Sequence, residues 1–161
     1  MAHHSSSFRF LPQLFLLMVS LGFSAAAHAE ATSLPLHTAG SGTLYLDGRL
    51  VNAVDTELLL DTGSGYVSLS RETFNRVKGH AGTRYLREIH GVLANGKSVA
   101  VPVYAIAELS LGANCTLYNV EVAVMPNGSR DILGLNALRQ LQPLTLQLDP
   151  PQLVANCSHD S

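Results

Sequence analysis

Between its turn signals the chain sets out apolar and polar positions in short, readable runs. "SGTLYLDGRLV" alternates on either side of Asp47-Gly48, a dipeptide suited to a type I′ turn, so a hairpin is predicted there. "ELLLD" is instead a continuous apolar run, as expected of a strand buried on both faces. Val67 and Leu69 alternate with Ser68 and Ser70, and Ser70 can cap a brief helix that carries Phe74 and Val77 and stops at Gly79. Residues 85–94 and 97–111 flank Asn95-Gly96, a second hairpin signal. Pro102 lies in the second arm and has no N–H to give a ladder, so it belongs at an edge or a bulge. After a turn in "GANC", Tyr118, Val120, Val122 and Val124 fall on one strand face. Pro126-Asn127-Gly128 turns the chain into "DILG", a short buried strand, and Asn136 can cap a helix running to Leu141. "LTLQLD" then sets Leu144, Leu146 and Leu148 against Thr145, Gln147 and Asp149. Short strands, regular turns and two small helices predict a mostly β domain, barrel-like or sandwich-like.

The first thirty residues follow another plan. A polar start with His3, His4 and Arg9 leads into an apolar run from Phe10 to Ala27, closed by Ala27-His28-Ala29. That is the layout of a secretory signal peptide over residues 1–29, with cleavage before Glu30 and an exported, periplasmic or secreted product. An uncleaved membrane anchor is the alternative, since the run approaches spanning length; Pro12 and the small residues at its end favour cleavage. Residues 30–40 read as a polar, partly ordered lead-in and residues 41–161 as one domain. Removing 29 of the 161 residues leaves 132, enough for a single core.

Composition narrows the function. A net charge of −2 and a pI near 6.4 argue against a nucleic-acid surface. Only 14% of residues are charged while 47% are hydrophobic, which excludes disorder and points to apolar surface that a partner covers. Cys115 and Cys157 both lie in the exported part, where they either pair in one disulfide or stand as separate thiols. No Cys/His spacing resembles a zinc site, and His37, His80 and His90 read as surface or turn residues. No metal or cofactor is expected.

The specific signal is Asp61-Thr62-Gly63-Ser64 at the end of the leucine strand. Three residues of this kind recur by chance. Their context is stronger: about seventy residues on comes Ile132-Leu133-Gly134-Leu135-Asn136-Ala137-Leu138, with the Asn-Gly hairpin in between. In order and spacing the chain resembles the retropepsin-like aspartic proteases, above all exported bacterial members, from about Ser41 to Pro150. The resemblance implies a closed-barrel single lobe with two short helices that works as a homodimer. It also implies an apolar-apolar-Gly strand passing beneath the acid loop into a helix whose first turn carries Asn136. Ile132, Leu133, Gly134 and Asn136 would then support the site.

The chemistry fits those residue types. Peptide hydrolysis needs an activated water and a proton for the leaving amine, and two carboxylates sharing one proton supply both. By resemblance, Thr62 cross-links the two loops through its hydroxyl, Gly63 lets the backbone turn and donate its N–H to the acid, and Ser64 bonds the outer carboxylate oxygen. Asp61 is the chain's single Asp-Thr-Gly acid; Asp47, Asp55, Asp131 and Asp149 sit in turns or at strand ends without a Thr-Gly. The resemblance therefore requires Asp61 of a second copy across a two-fold axis. Turn chemistry alone makes Ala94-Asn95-Gly96 an ordinary surface hairpin; the resemblance makes it a flap over bound peptide. Tyr66 either lines the groove or simply packs.

The chain departs from its retroviral relatives in two places. Leu135 stands where they carry an Arg that makes a dimer-supporting ion pair, and Ala94-Asn95-Gly96 replaces a run of glycines. The expectation is an exported aspartic endopeptidase acting on a peptide or protein, with apolar side chains flanking the scissile bond. The alternative is a non-catalytic periplasmic peptide-binding or scaffold module on the same fold. An intact Asp61-Thr62-Gly63 favours the enzyme.

Overall fold

A computed structural model of the chain describes Met1 and residues 31–40, 42–92, 96 and 98–157. The signal segment with Ala27-His28-Ala29, and Ala94 and Asn95 of the hairpin tip, lie outside the described residues.

In chain order the elements are β1 (Ala31–Pro35), β2 (His37–Ala39), β3 (Thr43–Leu50), β4 (Val54–Leu60), β5 (Val67–Ser70) and α1 (Arg71–Val77). There follow β6 (Arg84–Val92), β7 (Ser98–Leu111), β8 (Cys115–Met125), β9 (Ile132–Leu133) and α2 (Leu135–Leu138), which runs on into a single 3-10 turn over Arg139–Leu141. β10 (Leu144–Leu148) and β11 (Pro151–Asn156) end the described chain. The main sheet runs β2-β3-β4-β9-β5-β8-β7-β6, and β3 also pairs with β7. That extra pairing closes β3, β4, β9, β5, β8 and β7 into a barrel, the mostly β, single-lobe architecture that the resemblance implies. A second, smaller sheet orders β1-β11-β10.

The barrel is filled by Leu46, Leu50, Leu58, Leu69, Ile106 and Leu117, all under 2% exposed. β4 reads as an unbroken apolar run because Leu58 and Leu59 are both buried although they point to opposite faces. Its neighbour β9 lies parallel to it, pairing Leu59 with Ile132 and Leu60 with Leu133. α1 forms as its sequence predicts: Ser70 Oγ accepts the Thr73 N–H at 3.1 Å, and Phe74 and Val77 are buried.

Several local expectations need correction. The lead-in, expected to be only partly ordered, is strand over most of its described length: from Ala31 it forms β1 and β2, and Leu34 is buried opposite Leu153 of β11. Their polar neighbours mask two buried leucines, Leu34 and Leu36. Asp47-Gly48 is mid-strand. The turn falls at Val51 and Asn52, whose φ values are 47° and 53°, with the Ala53 N–H donating to Leu50 O at 3.0 Å. Gly48 serves close approach instead, since a Cβ there would stand 2.8 Å from Leu58 Cδ1. Tyr118 is exposed, because the backbone turns left-handed at Asn119 (φ 52°) and the buried series changes phase from Leu117 to Val120. β10 keeps its alternation, yet Leu146 and Leu148 are 44% and 71% exposed.

Cys115 and Cys157 are joined by a disulfide, with Cα atoms 5.1 Å apart. It ties the start of β8 to the chain just beyond β11. Among the described residues no helix is long and apolar enough to cross a membrane.

Candidate active site

The site begins where β4 runs out. Its last leucine passes directly to Asp61, whose N–H donates to Leu133 O of β9 at 3.2 Å. The chain then turns on itself: the Ser64 N–H donates to Asp61 O at 3.3 Å, and the Gly63 N–H donates to Asp61 Oδ1 at 2.8 Å. A hydrogen bond from a backbone amide to a carboxylate is charge-assisted, and it fixes the rotation of the acid. A Cβ on Gly63 would sit 3.1 Å from that same oxygen, so the approach is tight at glycine and tighter for any other residue.

The loop is held from below by β9 and α2. The Leu135 N–H donates to Ser64 O at 2.8 Å and the Asn136 N–H to Gly65 O at 3.2 Å. Gly134 passes so close that a Cβ would lie 2.1 Å from Tyr66 O, a separation only glycine permits. Asn136 does not cap α2, a position taken by Gly134 without a side-chain bond. Its side chain bridges strands instead: Oδ1 accepts from the Val67 N–H at 2.7 Å, and Nδ2 donates to Glu121 O at 2.8 Å. Ser64 also differs from expectation, its hydroxyl donating to Tyr66 O at 2.9 Å rather than to the acid.

Asp61, Thr62, Gly63 and Ser64 thus come together on one loop, with Leu133, Gly134 and Asn136 beneath them and Ile132 one residue further back in the same strand. Thr62 and Gly63 are exposed and Asp61 is half-buried. β6 and β7 form the expected hairpin, registered from Arg84 with Ala105 to Val92 with Ser98; Gly96 has φ 77°. Pro102 pairs only with β6, because β7 meets β8 from Val103 onward, so it stands on an edge of the sheet at that point, as expected. A cavity of about 230 Å3 lies between this hairpin and the acid loop, walled by Gly63, Tyr66, Ile89, Val92, Val101 and Met125 among others. A second cavity, about 720 Å3, opens beside Thr62 and is lined by Leu135, Leu138, Arg139 and Leu144 as well.

Sequence reasoning missed three residues here. Asp131 locks β9 in place: Oδ1 accepts the Ser70 N–H at 2.7 Å, Oδ2 the Thr56 hydroxyl at 2.6 Å, and its main-chain O the Leu59 N–H at 2.9 Å. An acid just ahead of an apolar-apolar-Gly strand was the available signal. Arg87 and Glu121 form a forked ion pair with N···O distances of 3.0 and 2.5 Å. The Arg87 hydrogen bonds hold the Glu121 carboxyl below the usual carboxylate range, against the opposing effect of burial. Arg87 also donates to Tyr66 Oη at 3.1 Å.

Comparison with known proteins agrees with this geometry. The profile of the family described as "gag-polyprotein putative aspartyl protease" matches residues 48–140, more than half of the chain. Among solved structures, a retropepsin-like aspartic protease from Rickettsia conorii superposes with a TM-score of 0.59 at 16% identity, over 78% of this chain and 92% of that one. At that identity the likeness is one of fold. No curated protein matches.

Proposed function

The chain belongs to the retropepsin-like, gag-polyprotein aspartyl protease family, and on that premise we propose that it is an aspartic endopeptidase active as a homodimer. One observation carries the reading: a single Asp-Thr-Gly loop, its acid oriented by the Gly63 N–H, presents Thr62 and Gly63 outward and unmatched. Half of a two-carboxylate site is of no use for hydrolysis alone. Paired with Asp61 of a second copy, it would hold one proton between two acids, one carboxylate taking a proton from water while the other donates to the peptide carbonyl.

The surroundings of the loop support such a partner. Among the described residues β10 is an edge strand of the smaller sheet, and Leu144, Leu146 and Leu148 share the face on which Ala155 and Leu153 are buried. That apolar face runs past the edge of its own core. The cavity beside Thr62 joins the acid loop to Leu144, so one surface carries both. Exposed strand edges of this kind are templates for pairing, and a second β10 is self-complementary to the first across a two-fold axis. The hairpin of β6 and β7 serves as the flap, with the substrate an extended peptide bearing apolar side chains at the cleaved bond. An exported location belongs to the same proposal, supported by the disulfide, which persists in oxidising compartments.

Asp61→Asn tests the reading. The amide is isosteric and should leave fold and association intact while abolishing peptide hydrolysis. Excess mutant mixed into wild type should poison activity beyond dilution, because mixed dimers hold one carboxylate. Wild-type specific activity should fall on dilution. Full turnover by Asp61→Asn, or activity per chain that is independent of concentration, would refute the shared-acid mechanism.

A further inference from the structure

We propose that Arg87 and Glu121 clamp Tyr66 as a fixed wall of the small cavity beneath the hairpin, making Tyr66 the residue that limits which peptide side chain can enter it. The proposal rests on the reading of the chain as a peptide hydrolase.

The cavity starts at Gly63, two residues from the acid, so a side chain in it belongs to a residue next to the scissile bond. Its volume of about 230 Å3 is below the ~300 Å3 at which whole-ligand pockets begin, so it suits one or two side chains. The walls given by Ile89, Val92, Val101 and Met125 are aliphatic or thioether, and Tyr66 is the one aromatic ring among the lining residues.

What fixes that ring is unusual. Opposite Arg87 the β6–β7 register slips by one: Tyr85 pairs with Tyr104, but Arg87 pairs with Val103. The bulge at Leu86 puts Arg87 in line with Ile89 on the cavity side, a re-aiming that bulges near active sites commonly perform. From there Arg87 reaches across β7 to Glu121 on β8, and its second nitrogen donates to the Tyr66 hydroxyl. Glu121 is itself tethered, because its main-chain O accepts from Asn136 Nδ2 beneath the acid loop. The phenol is thereby held from the hairpin arm and, through Glu121, from the same asparagine that supports the catalytic loop. A tyrosine without that bond is free to swing its ring aside and lengthen the cavity.

The test uses a library of internally quenched peptides varied at the positions flanking the cleaved bond, with fragments identified by mass spectrometry. Wild type should favour Val, Ile and Leu over Phe and Trp at one flanking position. Tyr66→Phe keeps the wall and removes its anchor; Arg87→Met removes the clamp. Each should shift the kcat/KM ratio of Val to Phe peptides at least fivefold toward Phe, and Tyr66→Ala further still. The Tyr66→Phe/Arg87→Met double variant should shift the ratio no more than either single change, since both cut one linkage. A merely structural role would lower turnover of all peptides together and leave the ratio where it was. Asp61-dependent cleavage with an unchanged ratio in Tyr66→Phe, Arg87→Met and Tyr66→Ala would overturn the clamp alone. Absence of Asp61-dependent cleavage in wild type would overturn the protease reading and the clamp with it.

Discussion

Gly134→Ala adds a methyl carbon 2.1 Å from Tyr66 O, 2.5 Å from Tyr66 C and 2.9 Å from Ser64 O. Real Cβ atoms do not approach closer than 3.0 Å, so the loop must retreat by about 0.9 Å, which is 3.0 less 2.1. All three atoms are backbone, and no side chain can rotate away to relieve the clash. A retreat of that size stretches the Leu135 N–H to Ser64 O bond from 2.8 Å and the Asn136 N–H to Gly65 O bond from 3.2 Å to beyond useful length. Overpacking costs about 1–3 kcal/mol and each lost bond about 1 kcal/mol, giving roughly 3–5 kcal/mol in all. Against a typical reserve of about 5–15 kcal/mol that is a large fraction. At roughly 4 °C per kcal/mol for a domain of this size, Tm should drop by about 12–20 °C. Urea denaturation should show the midpoint falling with little change in slope. Gly65→Ala is the matched control, because a Cβ there meets nothing within 4 Å, and it should melt close to wild type. Equal midpoints for the two variants would refute the close approach of β9 beneath the acid loop.

Other outcomes follow from single features. Replacing Cys115 and Cys157 by serine opens a loop of sequence separation 42 and should cost about 4 kcal/mol in chain entropy, read as a lower urea midpoint that reductant no longer affects. Glu121 has a folded pKa lowered beneath its usual 4.5, so its pairing contributes stability that is fully present above that value and is lost as pH falls through the lower folded one. The Tm gap between wild type and Glu121→Gln should therefore hold steady from neutral pH to about 4.5 and close only in stronger acid; a gap that closed above that pH would contradict the pairing. Leu135, Leu138 and Leu144 line the surface beside Thr62 that the proposed dimer would cover, so dimer dissociation measured by sedimentation should change little between low and high salt, where a dimer held by ion pairs would weaken.

Much of this was legible in the sequence wherever the physics is local. An unbroken leucine run has one economical explanation, burial on both faces, and β4 has it. Ser70 caps α1 because cap and helix are three residues apart. Where the same residue answers two physical needs, reading failed: Gly48 looked like a turn glycine and is a close-approach glycine against Leu58. Where the partner is remote, reading had nothing to work with. β1 is a strand because Leu34 meets Leu153, and no property of residues 31–35 announces that. Arg87 and Glu121 are separated by 34 residues and by the whole of β7, so their pairing is a product of barrel closure and of a one-residue bulge. Gly134 was legible as part of a motif, while its reason, the carbonyl of Tyr66, became visible only with the loop in place.

The segment from Leu133 to Leu148 links the chemistry to the uncovered face. Its first residue accepts the Asp61 N–H, its second passes under Tyr66, and its third and fourth hold the carbonyls of Ser64 and Gly65. Then Leu138 and Leu144 line the cavity beside Thr62, and Leu146 and Leu148 reach solvent. The stretch that orients the carboxylate is therefore the one that leaves an apolar edge unfinished. Among the described residues β10 is an edge strand, and its Leu146 and Leu148, 44% and 71% exposed, are apolar surface that costs solubility in a lone lobe. In the proposed dimer they would be covered by the same association that brings the second Asp61. Burial of the edge and completion of the site would then be one event, transmitted through α2 and the backbone of residues 134–136.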